Sequence, residues 1–256
     1  MKFVIDAGHG GKDPGAVGNG LREKDLTLTL ALRIGELLAA RGTEIHYTRM
    51  TDVFLELSDR AALANQLGAV YFLSVHINAG GGTGFETFVQ TGSTGATVAY
   101  QNVIHRRVAL LYAQDGLPDR GAKQANLAVL RETSMPAILL EYGFIDSAKD
   151  AARLADPDWL ERIAQATCAG VAAAFGLPDV PDETAAEQES MKAPKETMQL
   201  EQWQWKMLGD SLDGLYRKGL LGDYKWAEKA YEGKLTQTEL AWLNTVVYAR
   251  QEGIKV

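Results

Sequence analysis

Val70-Tyr71-Phe72-Leu73-Ser74-Val75-His76-Ile77-Asn78 opens with four consecutive apolar residues and closes on a histidine and an amide side chain. Unbroken apolar runs of strand length, without strict alternation, mark strands covered on both faces, as in a largely parallel sheet between layers of helices. Phe3-Val4-Ile5-Asp6-Ala7-Gly8-His9-Gly10-Gly11 and Ala137-Ile138-Leu139-Leu140-Glu141-Tyr142-Gly143 have the same form, an apolar run followed by a histidine or carboxylate. Further strands are expected at 43–48, 85–90 and 128–130. Helical spacing covers 26–40, with Leu30, Ile34, Leu37 and Leu38 on one face and Gly42 just past the end, then 59–67, capped by Ser58, and 98–113. A last helix is expected over 157–175, with Asp156 as N-cap, Pro157 at the first helical position and Gly176 after the end. This alternation predicts an α/β domain over residues 1–177, a mostly parallel central sheet flanked by helices.

The chain has 256 residues, enough for one ordinary core plus something smaller. Residues 178–198 hold no aromatic and almost no β-branched side chain, and read as an acidic linker. Beyond it, residues 199–256 change composition: four of the five Trp (Trp203, Trp205, Trp226, Trp242) and four Tyr (Tyr216, Tyr224, Tyr231, Tyr248) fall there, and no Phe. A small all-α C-terminal module is expected, with Asp223 capping a helix over 224–231, Gly233 ending it, and a capping box at Thr236-Gln237-Thr238-Glu239. Its Trp and Tyr suit stacking on sugar rings, and the same residues would also serve as the core of a small module or as a self-association surface.

Hydrophobic residues at 46% and charged residues at 23% describe a folded globular chain, and no apolar run approaches the roughly 20 residues needed to span a bilayer, so no membrane insertion is expected. A net charge of -7, with Lys and Arg dispersed, argues against nucleic acid as a partner. The lone Cys168 lies among Ala and Val and reads as a buried thiol. The first apolar stretch ends by residue 6, too short for a signal peptide. A protein made in this form is expected to start in the cytoplasm.

Chemistry concentrates at the strand ends, where open parallel sheets gather ligands and reactive groups. A hydrolytic zinc site needs three N or O ligands and an open position. His9 and His76 supply imidazoles, and Glu23, just before the first long helix, is a reachable carboxylate. Each also has a plainer reading: His9 as a turn residue, His76 as a buried hydrogen-bonded histidine, Glu23 as a charge favoured at a helix N-terminus. Glu141 follows four apolar residues, where a carboxyl is costly unless paired or functional. It reads as a general base and acid or as the partner of an ion pair with Arg131. Asn78 and Arg131 lie near these residues and are candidates for substrate contact. Arg60 is expected to pair with Asp52, and His46 and His105 to face solvent; Glu86, after Gly84-Phe85, reads as lining the cleft or, by preference, as an exposed strand carboxylate.

In this order the motifs resemble those of the zinc-dependent N-acetylmuramoyl-L-alanine amidases of bacterial autolysins, sporulation lysins and phage endolysins. The resemblance covers residues 2–176. It rests on Asp6-Ala7-Gly8-His9-Gly10-Gly11, Glu23, Thr48-Arg49 with Asp52, Arg60 and Asn65, Ser74-Val75-His76-Ile77-Asn78-Ala79, and Leu130-Arg131 leading to Pro136 through Ile145. It implies Zn²⁺ as cofactor on His9, Glu23 and His76, Glu141 as catalytic acid and base, and peptidoglycan as substrate, cut between the lactyl group of N-acetylmuramic acid and L-alanine. Without a signal peptide, such an enzyme is expected to reach the wall only after release by a holin, by lysis, or by export without a standard signal, so a phage or prophage endolysin is the first expectation and a sporulation or autolytic amidase the second. The Trp and Tyr of residues 199–256 then favour cell-wall targeting for the C-terminal module. The rivals are a zinc peptidase cutting within the stem peptide and an inactive wall-binding or regulatory protein on the same fold.

Overall fold

The computed structural model describes residues 1–178, 200–221, 223–236, 239, 240, 243 and 247. The chain divides into two compact units, Met1–Val180 and Pro181–Val256. Apart from Pro178, the expected linker lies outside the described residues, as do Trp242 and Tyr248.

The first unit holds eight strands: β1 (Lys2–Ala7), β2 (Val17–Gly18), β3 (Leu21–Arg22), β4 (Glu44–Tyr47), β5 (Tyr71–Asn78), β6 (Phe85–Gln90), β7 (Asp119–Ala125) and β8 (Ala137–Phe144). Its helices are α1 (Glu23–Ala39), α2 (Leu57–Gln66), α3 (Gly95–Gln114), α4 (Ala128–Arg131), α5 (Ala148–Leu154) and α6 (Pro157–Phe175). The main sheet runs β4-β1-β5-β8-β6-β7, and only the β8–β6 pairing is antiparallel. The sheet is therefore mostly parallel and flanked by helices, as the apolar runs implied.

Side chains alternate across a strand, so the sheet has two distinct faces. Phe3, Ile5, Tyr71, Leu73, Ile138 and Leu140 pack into a large core with Leu30 and Ile34 of α1, Ile104 and Val108 of α3, and Ile163 and Val171 of α6. Cys168 lies in the same core, its thiol pushed up to about 11 by burial. The opposite face carries a smaller core, in which Val4, Phe72 and Leu139 meet Ala64 of α2 and Val129 and Leu130 of α4. Two residues beyond Leu139 on that smaller face stands Glu141, in register with His76 of β5 on one side and Glu86 of β6 on the other. The short helices thus leave a polar row, His76–Glu141–Glu86, across three adjacent strands.

Several expectations are corrected. Residues 128–130 form part of α4, not a strand: Arg131 N–H donates to Leu127 and Glu132 N–H to Ala128, closing one helical turn that buries Val129 and Leu130. The edge position belongs instead to β7, whose Asp-Arg-Gly-Ala-Lys-Gln-Ala sequence lacks any large apolar residue because much of it faces solvent. α2 starts at Leu57 with Glu56 as N-cap and no side-chain cap, so Ser58 lies inside the first turn. Asp156, Pro157 and the left-handed Gly176 bound α6 as expected.

The second unit contains α7 (Gln202–Arg217) and α8 (Lys225–Tyr231), with Trp205, Leu212, Leu221, Ala227, Ala230, Leu235 and Leu243 in a core of their own. Asp223 accepts from the Lys225 N–H at 3.0 Å, and Thr236 and Glu239 exchange the reciprocal bonds of a capping box at 3.0 and 3.2 Å. Among the described residues no helix is long and apolar enough to cross a membrane.

Asp6 and Arg60 form an ion pair at 2.9 Å with both side chains almost fully buried. Burial alone would raise the Asp6 carboxyl, but Arg60 and the Ser74 and Thr48 hydroxyls outweigh it and hold the group below its ordinary 3.8. Its contribution to stability is therefore present above pH 3.8 and lost as pH falls through the lower folded value. Asp6→Asn, which strands the Arg60 charge, is expected to cost about 3–5 kcal/mol, read as a lower urea midpoint at pH 7.

Candidate metal and proton-transfer site

The loop after β1 places the first imidazole. His9 has φ +62, a conformation uncommon outside glycine, and three neighbouring carbonyls turn inward. Arg60 Nη1 donates to Ala7 O at 2.7 Å and Nη2 to His9 O at 2.8 Å, while Arg49 Nη2 and Thr27 Oγ1 each donate to Gly8 O at 2.8 Å. Arg60 is thus spent on Asp6 and this loop; Asp52 pairs with Lys24 at 2.6 Å, not with Arg60. The second imidazole stands on β5. Glu23 is the first residue of α1, following the β2–β3 hairpin, and its chain direction is set by Glu23 N–H donating to Ala16 O at 2.9 Å.

Glu23 Oε1 lies 3.1 Å from His9 Nε2 and 3.0 Å from His76 Nδ1, and accepts from the Ile77 N–H at 2.9 Å; Oε2 accepts from the Ala16 N–H at 2.8 Å. One ligand atom from each of His9, Glu23 and His76 falls within 4.8 Å of the others, a group able to hold a metal ion. The group is packed too closely for larger neighbours. A Cβ on Gly8 would sit 2.4 Å from His76 Cε1, and one on Gly15 would sit 2.6 Å from Glu23 Oε2. The other nitrogen of His9, Nδ1, pairs with Asp13 Oδ2 at 2.8 Å, the kind of carboxylate contact that fixes tautomer and ring orientation in metal-binding histidines.

Charge in this cluster is unbalanced in an informative way. Burial lowers His9, but the bonds to Glu23 and Asp13 overcome it and lift the imidazole to about 9. His76 is likewise raised by Glu23 and Glu141 against its burial. Glu23, despite burial, is held far below the usual carboxylate range by the two histidines. One carboxylate thus raises the proton affinity of both imidazoles, and a cation would take the place of their protons.

Glu141 is the exception. Its Oε2 is buried and has no hydrogen-bond partner among the described residues. Burial pushes it up, His76 opposes, Glu23 and Glu86 push further, and the carboxyl settles at about 7. The ion pair with Arg131 does not form: Arg131 bonds Asn126 Oδ1 and Glu132 Oε1, each at 2.9 Å, and lines a separate cavity with Gln90 and Thr97. Arg131 is therefore not brought to the group. Asn78 is near it but committed, Nδ2 donating to Glu86 Oε1 at 2.6 Å and Oδ1 accepting from the Ala79 N–H at 2.8 Å. Glu86 itself is buried, not exposed, and carries ion pairs with Arg120 and Lys123. His105 is buried as well, between Thr87 Oγ1 at 3.0 Å and Asp119 Oδ1 at 2.9 Å, whereas His46 is partly exposed beside Glu44. A cavity of about 410 Å³ reaches His9 and His76 and is walled by Phe54, Leu57 and Leu127. Asp13, Arg120 and Lys123 do not stand out as site residues in the sequence; only the i, i+4 spacing of His9 and Asp13 hints at one of them.

Two imidazoles at the carboxyl ends of β1 and β5 and a carboxylate at the start of α1 form a group able to hold a metal ion, with the Glu141 carboxyl of β8 alongside, an arrangement suited to metal-assisted hydrolysis on an α/β sheet. Residues 3–173 match the N-acetylmuramoyl-L-alanine amidase family. The chain is 45% identical over 179 residues to a sporulation-specific N-acetylmuramoyl-L-alanine amidase of Bacillus subtilis (strain 168), covering 69% of each chain. It is 44% identical over 177 residues to an endolysin of Bacillus phage SPP1, covering 68% of this chain and 65% of that one. The catalytic domain of CwlV, an N-acetylmuramoyl-L-alanine amidase from Bacillus (Paenibacillus) polymyxa var. colistinus, superimposes with a TM-score of 0.64 at 40% identity, over 69% of this chain and 99% of that one. The chain belongs to the N-acetylmuramoyl-L-alanine amidase family and is a hydrolase.

Because His9 lies at about 9, it is protonated at pH 7 in the metal-free protein, and the bound imidazoles must be neutral. Zinc titrated into the metal-free protein at pH 7 is expected to release about one to two protons, and apparent affinity to weaken as pH falls from about 8 to 5. Calorimetry in two buffers of different ionisation enthalpy reads the count; zero protons would contradict a protonated His9.

Proposed function

We propose that the chain cleaves the peptidoglycan amide between the lactyl group of N-acetylmuramic acid and L-alanine, with His9, Glu23 and His76 holding Zn²⁺ and Glu141 moving the proton. The observation that carries this reading is a buried, unpaired carboxyl at about 7 beside a group of two imidazoles and a carboxylate able to hold a metal. An amide is a weak electrophile with a poor leaving group; zinc when bound supplies Lewis acidity, polarising a carbonyl and acidifying water. Proton transfer falls to the Glu141 carboxyl, which takes a proton from the attacking water and returns it to the departing nitrogen. A carboxyl near 7 is matched to both halves of that exchange at neutral pH. Glu23 fixes the two imidazoles, Asp13 orients His9, and Asn78 holds Glu86; none of these needs to exchange protons with substrate.

The biological setting proposed is wall lysis by a phage or prophage endolysin released through a holin. A sporulation or autolytic amidase is favoured to the same degree by the relatives, at 45% for the sporulation-specific enzyme and 44% for the endolysin. For the second unit we keep cell-wall targeting. Trp203 is 64% exposed, Tyr216 and Tyr224 meet edge to face at 5.4 Å, and Trp226 lies beneath Lys225 and Lys229 at 5.0 and 5.6 Å. Trp203, Tyr216 and Tyr224 are exposed and offer aromatic surface suited to stacking on sugars, whereas Trp226 packs partly against the unit's core.

Mass spectrometry of fragments released from purified peptidoglycan tests the reaction. Intact glycans freed from peptides that begin with L-alanine, lost with chelator and restored by zinc, are expected; cuts confined to the stem peptide would make the enzyme a peptidase. Glu141→Gln is expected to keep its zinc and lose about 10²–10⁴-fold in kcat. Residues 1–178 alone are expected to match the full chain on small muropeptides and to clear intact cells more slowly. Equal clearance would remove the targeting role.

A further inference from the structure

β7 carries an irregularity that serves no evident purpose in the fold. Between the pairs Phe85↔Asp119 and Thr87↔Ala122, β6 advances two residues while β7 advances three, with Gly121 at φ +92 in the extra position. Residues three apart on a regular strand point to opposite faces; a bulge changes that and re-aims side chains. Here it lets both Arg120 and Lys123 reach Glu86, while Asp119 turns away to His105.

Glu86 is only 4% exposed, and one carboxylate faces two cations, leaving a local surplus of one positive charge beside Glu141. Arg120 commits only its Nε to Glu86, at 2.9 Å, with its guanidinium 4.7 Å from the Phe144 ring centre. Both of its Nη nitrogens are without a hydrogen bond among the described residues, and its side chain is 34% exposed, that of Lys123 39%. A guanidinium braced through Nε on one side and stacked on a ring presents its remaining fork in a fixed plane, the geometry that recognises a carboxylate.

The two flanks of the site therefore differ. On one flank the cavity that reaches His9 and His76 presents mostly apolar surface, with Phe54 and Leu57 before and at the start of α2 and Leu127 before α4. On the β6 and β7 side the flank is cationic. The proposed substrate has the same polarity, an uncharged sugar on one side of the scissile amide and a carboxylate-bearing peptide on the other. We propose that Arg120 and Lys123 bind a free carboxylate of the stem peptide and so set both the orientation of the substrate and a preference for acidic over amidated peptides. This rests on the amidase reading above.

The test uses the full-length zinc-loaded enzyme and two muropeptides that differ only at the second peptide residue, one with a free α-carboxylate and one with its carboxamide. The wild type is expected to favour the carboxylate by about 10-fold or more in kcat/KM, carried mainly by KM, the size of one charge-assisted hydrogen bond. Lys123→Gln, which leaves Arg120 on Glu86, is expected to shrink that ratio. The triple variant Arg120→Gln, Lys123→Gln and Glu86→Gln, which removes both cations without stranding the buried carboxylate, is expected to bring it close to one. A wild-type ratio near one, or a ratio unchanged in both variants, overturns the proposal and reduces the two cations to supports for Glu86. Cleavage of neither peptide by the wild type would sink the amidase reading itself, an outcome separate from a lost preference.

Discussion

Three consecutive carbonyls, those of Ala7, Gly8 and His9, point into the protein where no strand partner meets them, and the site depends on how they are satisfied. Two buried guanidinium groups do so. Arg60 takes the first and third, Arg49 Nε also takes the first, and Arg49 Nη2 takes the second and goes on to Lys24 O at the start of α1. An unsatisfied buried carbonyl costs about 1–3 kcal/mol, so the loop has no stable alternative that leaves them open. A lysine could not substitute, because only a planar five-donor fork bridges carbonyls on separate segments. Through these bonds β1, α1 and α2 are fixed relative to one another, and with them His9 and Glu23. Burial and the neighbouring Arg60 both lower the Arg49 guanidinium, so two like charges are held close together, with Asp6 as the buried counter-charge.

That arrangement explains which parts of the fold are readable from sequence. Strands β1, β5 and β8 are covered on both faces, so their apolar runs are continuous and their polar ends stand out; His9, His76 and Glu141 are legible for that reason. Helix ends closed by local chemistry are legible too, as with Asp156, Pro157 and Gly176 on α6. The edge strand is not. β7 buries almost nothing, and its pattern of charged and small residues is that of a loop until β6 supplies its hydrogen bonds. α4 fails in the opposite sense, since Ala-Val-Leu is apolar enough for a strand and too short for helical periodicity to appear.

Polar residues mislead wherever their partners come from distant segments. Glu86 reads as a solvent-facing carboxylate because its partners Asn78, Arg120 and Lys123 lie 8, 34 and 37 residues away. His105 reads as exposed because it precedes two arginines on α3, yet it is buried 18 residues from Thr87 and 14 from Asp119. Arg131 shows the converse. Sequence proximity to Glu141 suggests a partner, but the intervening residues span the end of α4, a loop and half of β8, and the two groups stand at opposite ends of that stretch. Pairing across a sheet is set by register, which no local pattern encodes.

Register also decides the chemistry. His76, Glu141 and Glu86 stand side by side because β5, β8 and β6 are adjacent in that alignment, and a slip of one residue on β8 would turn Glu141 into the large core and bring Leu140 to the cleft. Glu141 then sits between an imidazole and a carboxylate. His76 alone would pull its proton affinity down, Glu86 and Glu23 alone would push it up, and burial adds to the second effect. Arg120 and Lys123 pair with Glu86 and so moderate its push on Glu141, which links the cationic flank to the Glu141 carboxyl through one shared carboxylate.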